Sequence, residues 1–289
     1  MPVDLPADIA DALAHAGLRA ASAEVLTLTP DPAMPRALYR VRLDCGRAVK
    51  ARRFESEGEA ARQQALRAVL PSAFAAVVAR SGAVLIEEWI DGRSLADGAP
   101  GEATVRGAAR LLAVMHATPE LDGLPLPLSS STARWRALSE ATLDELAASG
   151  ALDCAGAAAV RAVLASDDPG AAESGVVHLD FCGENMVIDG EGRLRLIDNE
   201  WARVDAFGHD LARTRYRWAL DDEAWAWFRD AYLAAGGSSD AVAHQRFWFA
   251  VALCVSALFR ARSSHSGVSR PLDRLRQLAL ETHAGGGHR

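Results

Sequence analysis

The sequence predicts an α/β (α+β) protein in two parts. A small strand-rich N-terminal lobe covers residues 1 to about 90, and a larger, mainly helical C-terminal lobe covers residues 91–289. Three observations predict this. Period-two alternation of apolar and polar residues dominates up to Ile90. Helical spacing dominates beyond Gly92. A short strand–loop–hairpin pattern, VVHLDFCGENMVIDGEGRLRLIDNEW, then interrupts the helical half at residues 176–201. Half of the 289 residues are apolar and 24% are charged, which allows a sizeable core and argues against disorder.

The elements follow in order. Residues 7–16 read as a short helix stopped by Gly17, SAEVLTLT as a strand and PDPAMPRA as a turn-rich loop. LYRVRLDCG and RAVKARRF alternate with period two around the hairpin turn Asp44-Cys45-Gly46. EAARQQALRAVL has helical spacing and stops at Pro71, and AVLIEEWI is an apolar strand closed by Asp91-Gly92. Beyond it, GEATVRGAARLLAVMHAT forms an amphipathic helix, with Val105, Ala109, Leu112 and Met115 on related faces. A Pro- and Ser-rich loop over 119–131 precedes helices near 132–148 and 155–165, and helices resume near 208 and continue to the end. No repeat of solenoid period occurs.

Composition excludes several classes of function. A formal charge of −7 opposes bulk binding to nucleic acid or to an anionic membrane. Cys45, Cys154, Cys182 and Cys254 are scattered without zinc spacing and read as reduced thiols. The N-terminus lacks the basic start and apolar run of a signal peptide. The longest apolar segment, FWFAVALCVSALF at 247–259, is too short for a bilayer and reads as a buried helix. A cytoplasmic protein is the expectation. Of 31 basic residues, 30 are Arg and one is Lys, Lys50. Some sites accept only a compact ammonium, so this lone lysine marks a candidate site.

The interrupting stretch carries the chemistry. MVI and LRLI form a hairpin around Asp189-Gly190-Glu191-Gly192, which brings the loop residues Asp180 and Asn185 back toward Asp198 at the strand end. Oxygen ligands grouped in this way suit a hard divalent cation. Phosphoryl transfer needs little more: metal held by carboxylate and amide oxygens, a cation on the phosphates, and one carboxylate to orient the attacking hydroxyl. His178-Leu179-Asp180, with Asn185 five residues after the Asp, has the spacing of a kinase catalytic loop. Asp198, in Asp198-Asn199-Glu200, takes the place of the metal-binding Asp that follows the returning strand. Lys50, in Ala48-Val49-Lys50, lies where a kinase strand lysine belongs, and the next helix offers Glu59 as its ion-pair partner, with Glu55 and Glu57 as rivals.

Together, Lys50, Glu59, Glu88-Trp89-Ile90, the LLAVMHAT helix, HLDFCGEN, LIDNEW and GHDLAR resemble the aminoglycoside phosphotransferase and choline kinase-like superfamily over nearly the whole chain. The resemblance implies a bilobal protein-kinase-like fold that binds ATP or GTP with Mg2+. It implies nucleotide contacts from Lys50, Glu59, the Glu88 carbonyl and the Ile90 amide. Metal would be held by Asn185 and Asp198, with Asp180 as the base and Asp210 as a structural support for the catalytic loop. The partners implied are a nucleotide and a small-molecule hydroxyl acceptor, with no nucleic acid or membrane. An aminoglycoside or other antibiotic or amino-sugar is the first acceptor expected. A sugar, choline-like amine, amino acid or nucleoside, or a retired nucleotide-sensing module, are the alternatives. Three departures stand out: the first loop has no glycine, Leu179 stands where the small-molecule branch commonly has glycine, and Asn199-Glu200 follow the metal Asp.

The remaining residues have plainer readings. His178 is expected to have a structural role near Asp198, and His116 to be a satisfied core histidine. Glu184 reads as a solvated loop residue, while Glu200 could reach metal or acceptor. Asp221-Asp222-Glu223 caps a helix N-terminus. Arg213, Arg215 and Arg217 read as a salt-bridged helix surface rather than an anion site.

Overall fold

A computed structural model describes residues 5–26, 37–96, 100–118, 131–218, 220–262 and 269–285. These form two compact units. The described residues of 5–96, with 183–200, make the first. Residues 100–118, 131–182 and the described part of 201–285 make the second. The first unit thus runs past residue 90 and takes in the hairpin at 186–196. The loop at 30–36, the last residues of the expected first strand and most of the 119–131 loop lie outside the described residues.

In the first unit, α1 (Ala7–His15) is followed by β1 (Ala20–Val25), β2 (Ala37–Leu43), β3 (Ala48–Arg53), α2 (Glu57–Val69), β4 (Val77–Ser81), β5 (Val84–Glu88) and β6 (Gly92–Ser94). The five-stranded sheet has the order β1-β2-β3-β5-β4 and is antiparallel throughout. Strand alternation sorts its two faces. Val41, Leu43, Val49, Ala51, Val84 and Ile86 pack with Ile9 and Leu13 of α1. Burial of each larger aliphatic side chain there stabilises by about 1.5–3 kcal/mol. The intervening residues Lys50, Arg52, Leu85 and Glu87 therefore take the other face, where Leu85 packs with Phe54 and with Ala60 of α2. β4 carries no strong alternation in the sequence and joins the sheet by pairing with β5. A 3-10 turn (Gly183–Asn185) leads into β8 (Met186–Asp189) and β9 (Leu194–Leu196). β6 pairs with β8 at the start of that hairpin.

In the second unit, α3 (Glu102–His116), α4 (Thr132–Ala148), α5 (Cys154–Ser166), β7 (Ser174–Val177), β10 (Arg203–Ala206), α6 (Phe207–Trp218), α7 (Asp222–Ala234), α8 (Ser239–Ala243), α9 (Gln245–Arg262) and α10 (Ser269–Gly285) follow in order. β7 and β10 pair antiparallel. α9 is the helix of the long apolar segment, and its Phe247, Trp248, Val251 and Leu253 centre a core shared with Trp135, Val160, Leu164 and Leu275. Among the described residues no helix is long and apolar enough to cross a membrane. Ser131, Asp153 and Asp221 cap α4, α5 and α7 by accepting the amide three residues on.

Candidate active site

The first unit holds a cavity of about 450 Å³. Leu26, Leu38, Ala75, Trp89, Val187 and Leu196 give it apolar walls, and Lys50, Glu87, Asn185 and Asp198 give it a polar end. The run Glu88–Asp91, at and beyond the end of β5, also lines it. Arg40 lies over the Trp89 ring at 4.5 Å, a cation–π contact.

Each polar residue is placed by an ordinary structural rule. Lys50 comes from β3, on the face that alternation turns away from α1. Asn185 ends the 3-10 turn, and its carbonyl accepts the Ile197 amide at 3.0 Å, which ties it to the chain just before Asp198. Leu196 donates its amide to Ala73 at 2.7 Å, so the strand leading to Asp198 is fixed as well.

Lys50 has a different carboxylate from the one expected. Its Nζ donates to the Ile197 carbonyl at 2.5 Å and lies 3.8 Å from Glu87 Oε2. The reason is register: Lys50 and Glu87 are directly paired across β3 and β5. Glu59 is at the start of α2, where Ser56 is the N-cap. The Glu59 amide donates to Ser56 Oγ and its carboxylate accepts the Glu55 amide, each at 3.2 Å. That is a variant of the capping box, and it engages Glu59 in capping the start of the helix. The polar residues that α2 buries are Gln63 and Arg67.

Behind the cavity runs a buried charge network. Arg67 donates to Glu87, to Gln63 Oε1 at 2.8 Å and to Asn199 Oδ1 at 2.8 Å. Arg52 pairs with Asp198 at 3.0 Å and Glu200 at 3.1 Å. Glu200 is thus held by a cation. Burial alone would raise the Glu87 carboxyl, but Lys50 and Arg67 outweigh it and hold the group below the ordinary carboxylate value. Burial also pushes the Lys50 ammonium down, against the pull of Glu87.

The second unit presents Asp180. β7 runs into His178 and Leu179, whose amides donate to Asp210 Oδ2 and Oδ1, each at 2.7 Å. Asp210 is fully buried on the first turn of α6 and also meets His116 Nε2 at 3.1 Å. His116 in turn contacts the Tyr232 hydroxyl at 2.8 Å and stacks on Phe207. Both Asp210 and His116 have the structural surroundings expected of them. Leu179 has φ 61°, a left-handed backbone that explains why glycine suits the position. The His178 Nδ1 accepts the Asp180 amide at 3.2 Å.

Arg213 and Arg217 are not a surface pair. Arg213 donates to the Leu179 carbonyl and lies 3.7 Å from Asp180, and Arg217 Nε lies 2.9 Å from Asp180 Oδ1. Their four-residue spacing on α6 was readable; that this face turns to Asp180 was not. Arg215 does pair outward, with Asp222. Asp221 caps α7 as expected.

Magnesium fits the first unit's donor set. Asn185 and Asp198 offer an amide and a carboxylate oxygen beside one cavity. Magnesium is commonly held by one or two protein oxygens, with phosphate oxygens and water completing the shell. No cluster of three or more His, Cys, Asp or Glu that could hold a metal occurs among the described residues.

Comparison with known proteins agrees with this geometry. The model of the family described as phosphotransferase enzyme family matches residues 36–248. No curated protein matches the chain. Among solved structures, a macrolide 2'-phosphotransferase type I superposes with a TM-score of 0.68 at 21% identity, covering 95% of this chain and 99% of its own. The macrolide 2'-phosphotransferase MphH from Brachybacterium faecium gives 0.66 at 17% identity, covering 96% and 98%. The choline kinase LicA from Streptococcus pneumoniae gives 0.60 at 15% identity, covering 89% and 94%. The likeness to these kinases shows the fold.

Proposed function

Because the chain belongs to the phosphotransferase enzyme family, we propose that it moves the γ-phosphate of ATP or GTP to a hydroxyl of a small molecule. An aminoglycoside or other antibiotic or amino-sugar is the first acceptor class. The observation that carries the reading is the shared cavity of Lys50, Asn185 and Asp198, with apolar walls for a base and Glu88 and Ile90 along its edge.

The roles follow from the chemistry of the groups. The base lies between the apolar side chains, and the Glu88 carbonyl and Ile90 amide read its edge. Lys50 grips the non-transferred phosphates. Asn185 and Asp198 would hold Mg2+, which when bound neutralises phosphate charge. Asp180 orients the acceptor hydroxyl and receives its proton. Arg217, 2.9 Å from that carboxylate, fixes its direction.

The test is mass spectrometry of a pooled acceptor panel after incubation with Mg-ATP or Mg-GTP. The panel holds aminoglycosides, macrolides, amino sugars, choline-like amines and nucleosides, with Asp180→Asn protein as control. One compound gains a phosphate with the wild type alone, while Asp180→Asn still binds nucleotide. Nucleotide binding without any transfer favours a sensing module, and equal loss of binding and transfer in Asp180→Asn overturns the role of Asp180.

A further inference from the structure

We infer that Glu87 on β5, fixed from behind by Arg67, is the positioning residue that aims Lys50 at the nucleotide phosphates. The inference rests on the reading of Lys50 as the phosphate-gripping cation. Glu87 is 2% exposed in its side chain and Lys50 11%, so the pair is nearly dry. Glu87 Oε1 accepts from Arg67, whereas its buried Oε2 has no hydrogen-bond donor among the described residues and faces Lys50 Nζ at 3.8 Å. A buried carboxylate oxygen left in that state is costly. A small movement of the ammonium would satisfy it. Lys50 has three N–H donors and spends one on the Ile197 carbonyl, which leaves one for Glu87 and one for a phosphate.

The other carboxylates near α2 are engaged differently. Glu59 serves the helix start, and Glu57 reaches Arg80 at 3.4 Å on the surface. What α2 sends inward is a cation. The Arg67 guanidinium meets Glu87, the carbonyl and side chain of Gln63, and Asn199, so it is held from several directions. One rigid group therefore joins the partner of Lys50 to the residue after Asp198. The phosphate grip is built across two paired strands and does not depend on a glutamate carried by the helix.

The experiment compares Lys50→Met, Glu87→Gln, Glu59→Gln and the double variant Glu87→Gln/Arg67→Gln. Mg-ATP and Mg-GTP binding is measured by titration calorimetry, and melting temperature is measured alongside. Lys50→Met and Glu87→Gln weaken nucleotide binding by roughly tenfold or more, the loss expected for one charge-assisted contact. Glu59→Gln changes it less than about twofold, within the reach of a surface substitution. The double variant removes both buried charges, so it melts above Glu87→Gln yet still binds nucleotide weakly. Wild-type affinity in the folded double variant, or equal losses for Glu59→Gln and Glu87→Gln, overturns the inference. Unchanged binding in Lys50→Met instead overturns the reading of Lys50 on which it rests.

Discussion

Replacing Asp210 with Asn changes a charge and almost no volume, and the consequence can be worked out from three contacts. Asp210 accepts the His178 and Leu179 amides at 2.7 Å each and meets His116 at 3.1 Å, all fully buried. Leu179 between them holds φ 61°. A left-handed backbone costs a residue other than glycine about 1–2 kcal/mol, so the carboxylate secures a segment under strain. An Asn side chain has one accepting end and one donating end. It can serve one amide but turns its NH2 toward the other. Losing a charge-assisted bond and leaving a buried amide unpaired together cost about 3–5 kcal/mol. A whole domain is stable by only about 5–15 kcal/mol, so the variant should fold but melt early. Urea denaturation followed by tryptophan fluorescence reads it, since every Trp except Trp89 belongs to the second unit. pH supplies a second arm. Burial alone would raise the Asp210 carboxyl, but the His116 bond and neighbouring donors outweigh it and hold it below the ordinary 3.8. Its contribution is then complete above 3.8 and is lost as pH falls through the lower, folded value. The gap between wild type and Asp210→Asn therefore closes in acid. An unfolding free energy within about 0.5 kcal/mol of wild type at neutral pH would refute this account of the loop.

Two further outcomes are expected. Gly208→Ala places a methyl 2.2 Å from Cδ1 of the buried Trp248, so stability falls by about 1–3 kcal/mol despite the helix preference for Ala; a melting temperature at or above wild type would count against that packing. Native protein treated with a thiol-reactive dye labels Cys45 and Cys154 quickly, because both are exposed. Cys182 and Cys254 are buried, with the Cys254 thiol pushed up to about 12 by burial, and react only after unfolding; fast labelling of all four would contradict this.

The legible parts of the molecule are those governed by local rules. The lone lysine, the hairpin after Asn185 and the helix face carrying His116 can be read because strand and helix periods fix side-chain direction within one element. Asp210 was legible through a motif as a support for the His178–Leu179 backbone. The partner of Lys50 was not, because that choice is made by register between β3 and β5, and no pattern inside either strand states which residues stand opposite. One local signal did oppose Glu59. Ser56-Glu57-Gly58-Glu59 has the spacing of a capping box, which claims the glutamate for the helix start before any lysine can. The arginines of α6 fail for a related reason. Arg213 and Arg217 share a face by spacing, but a face rich in charge looks solvated until a carboxylate such as Asp180 is found against it. Both misreadings concern charge placed by tertiary pairing. In this Arg-rich chain the buried guanidiniums of Arg52 and Arg67 do work that sequence patterns assign to the surface. They hold Asp198, Glu200 and Glu87 in fixed directions. A planar guanidinium with five donors can satisfy several acceptors at once inside a protein.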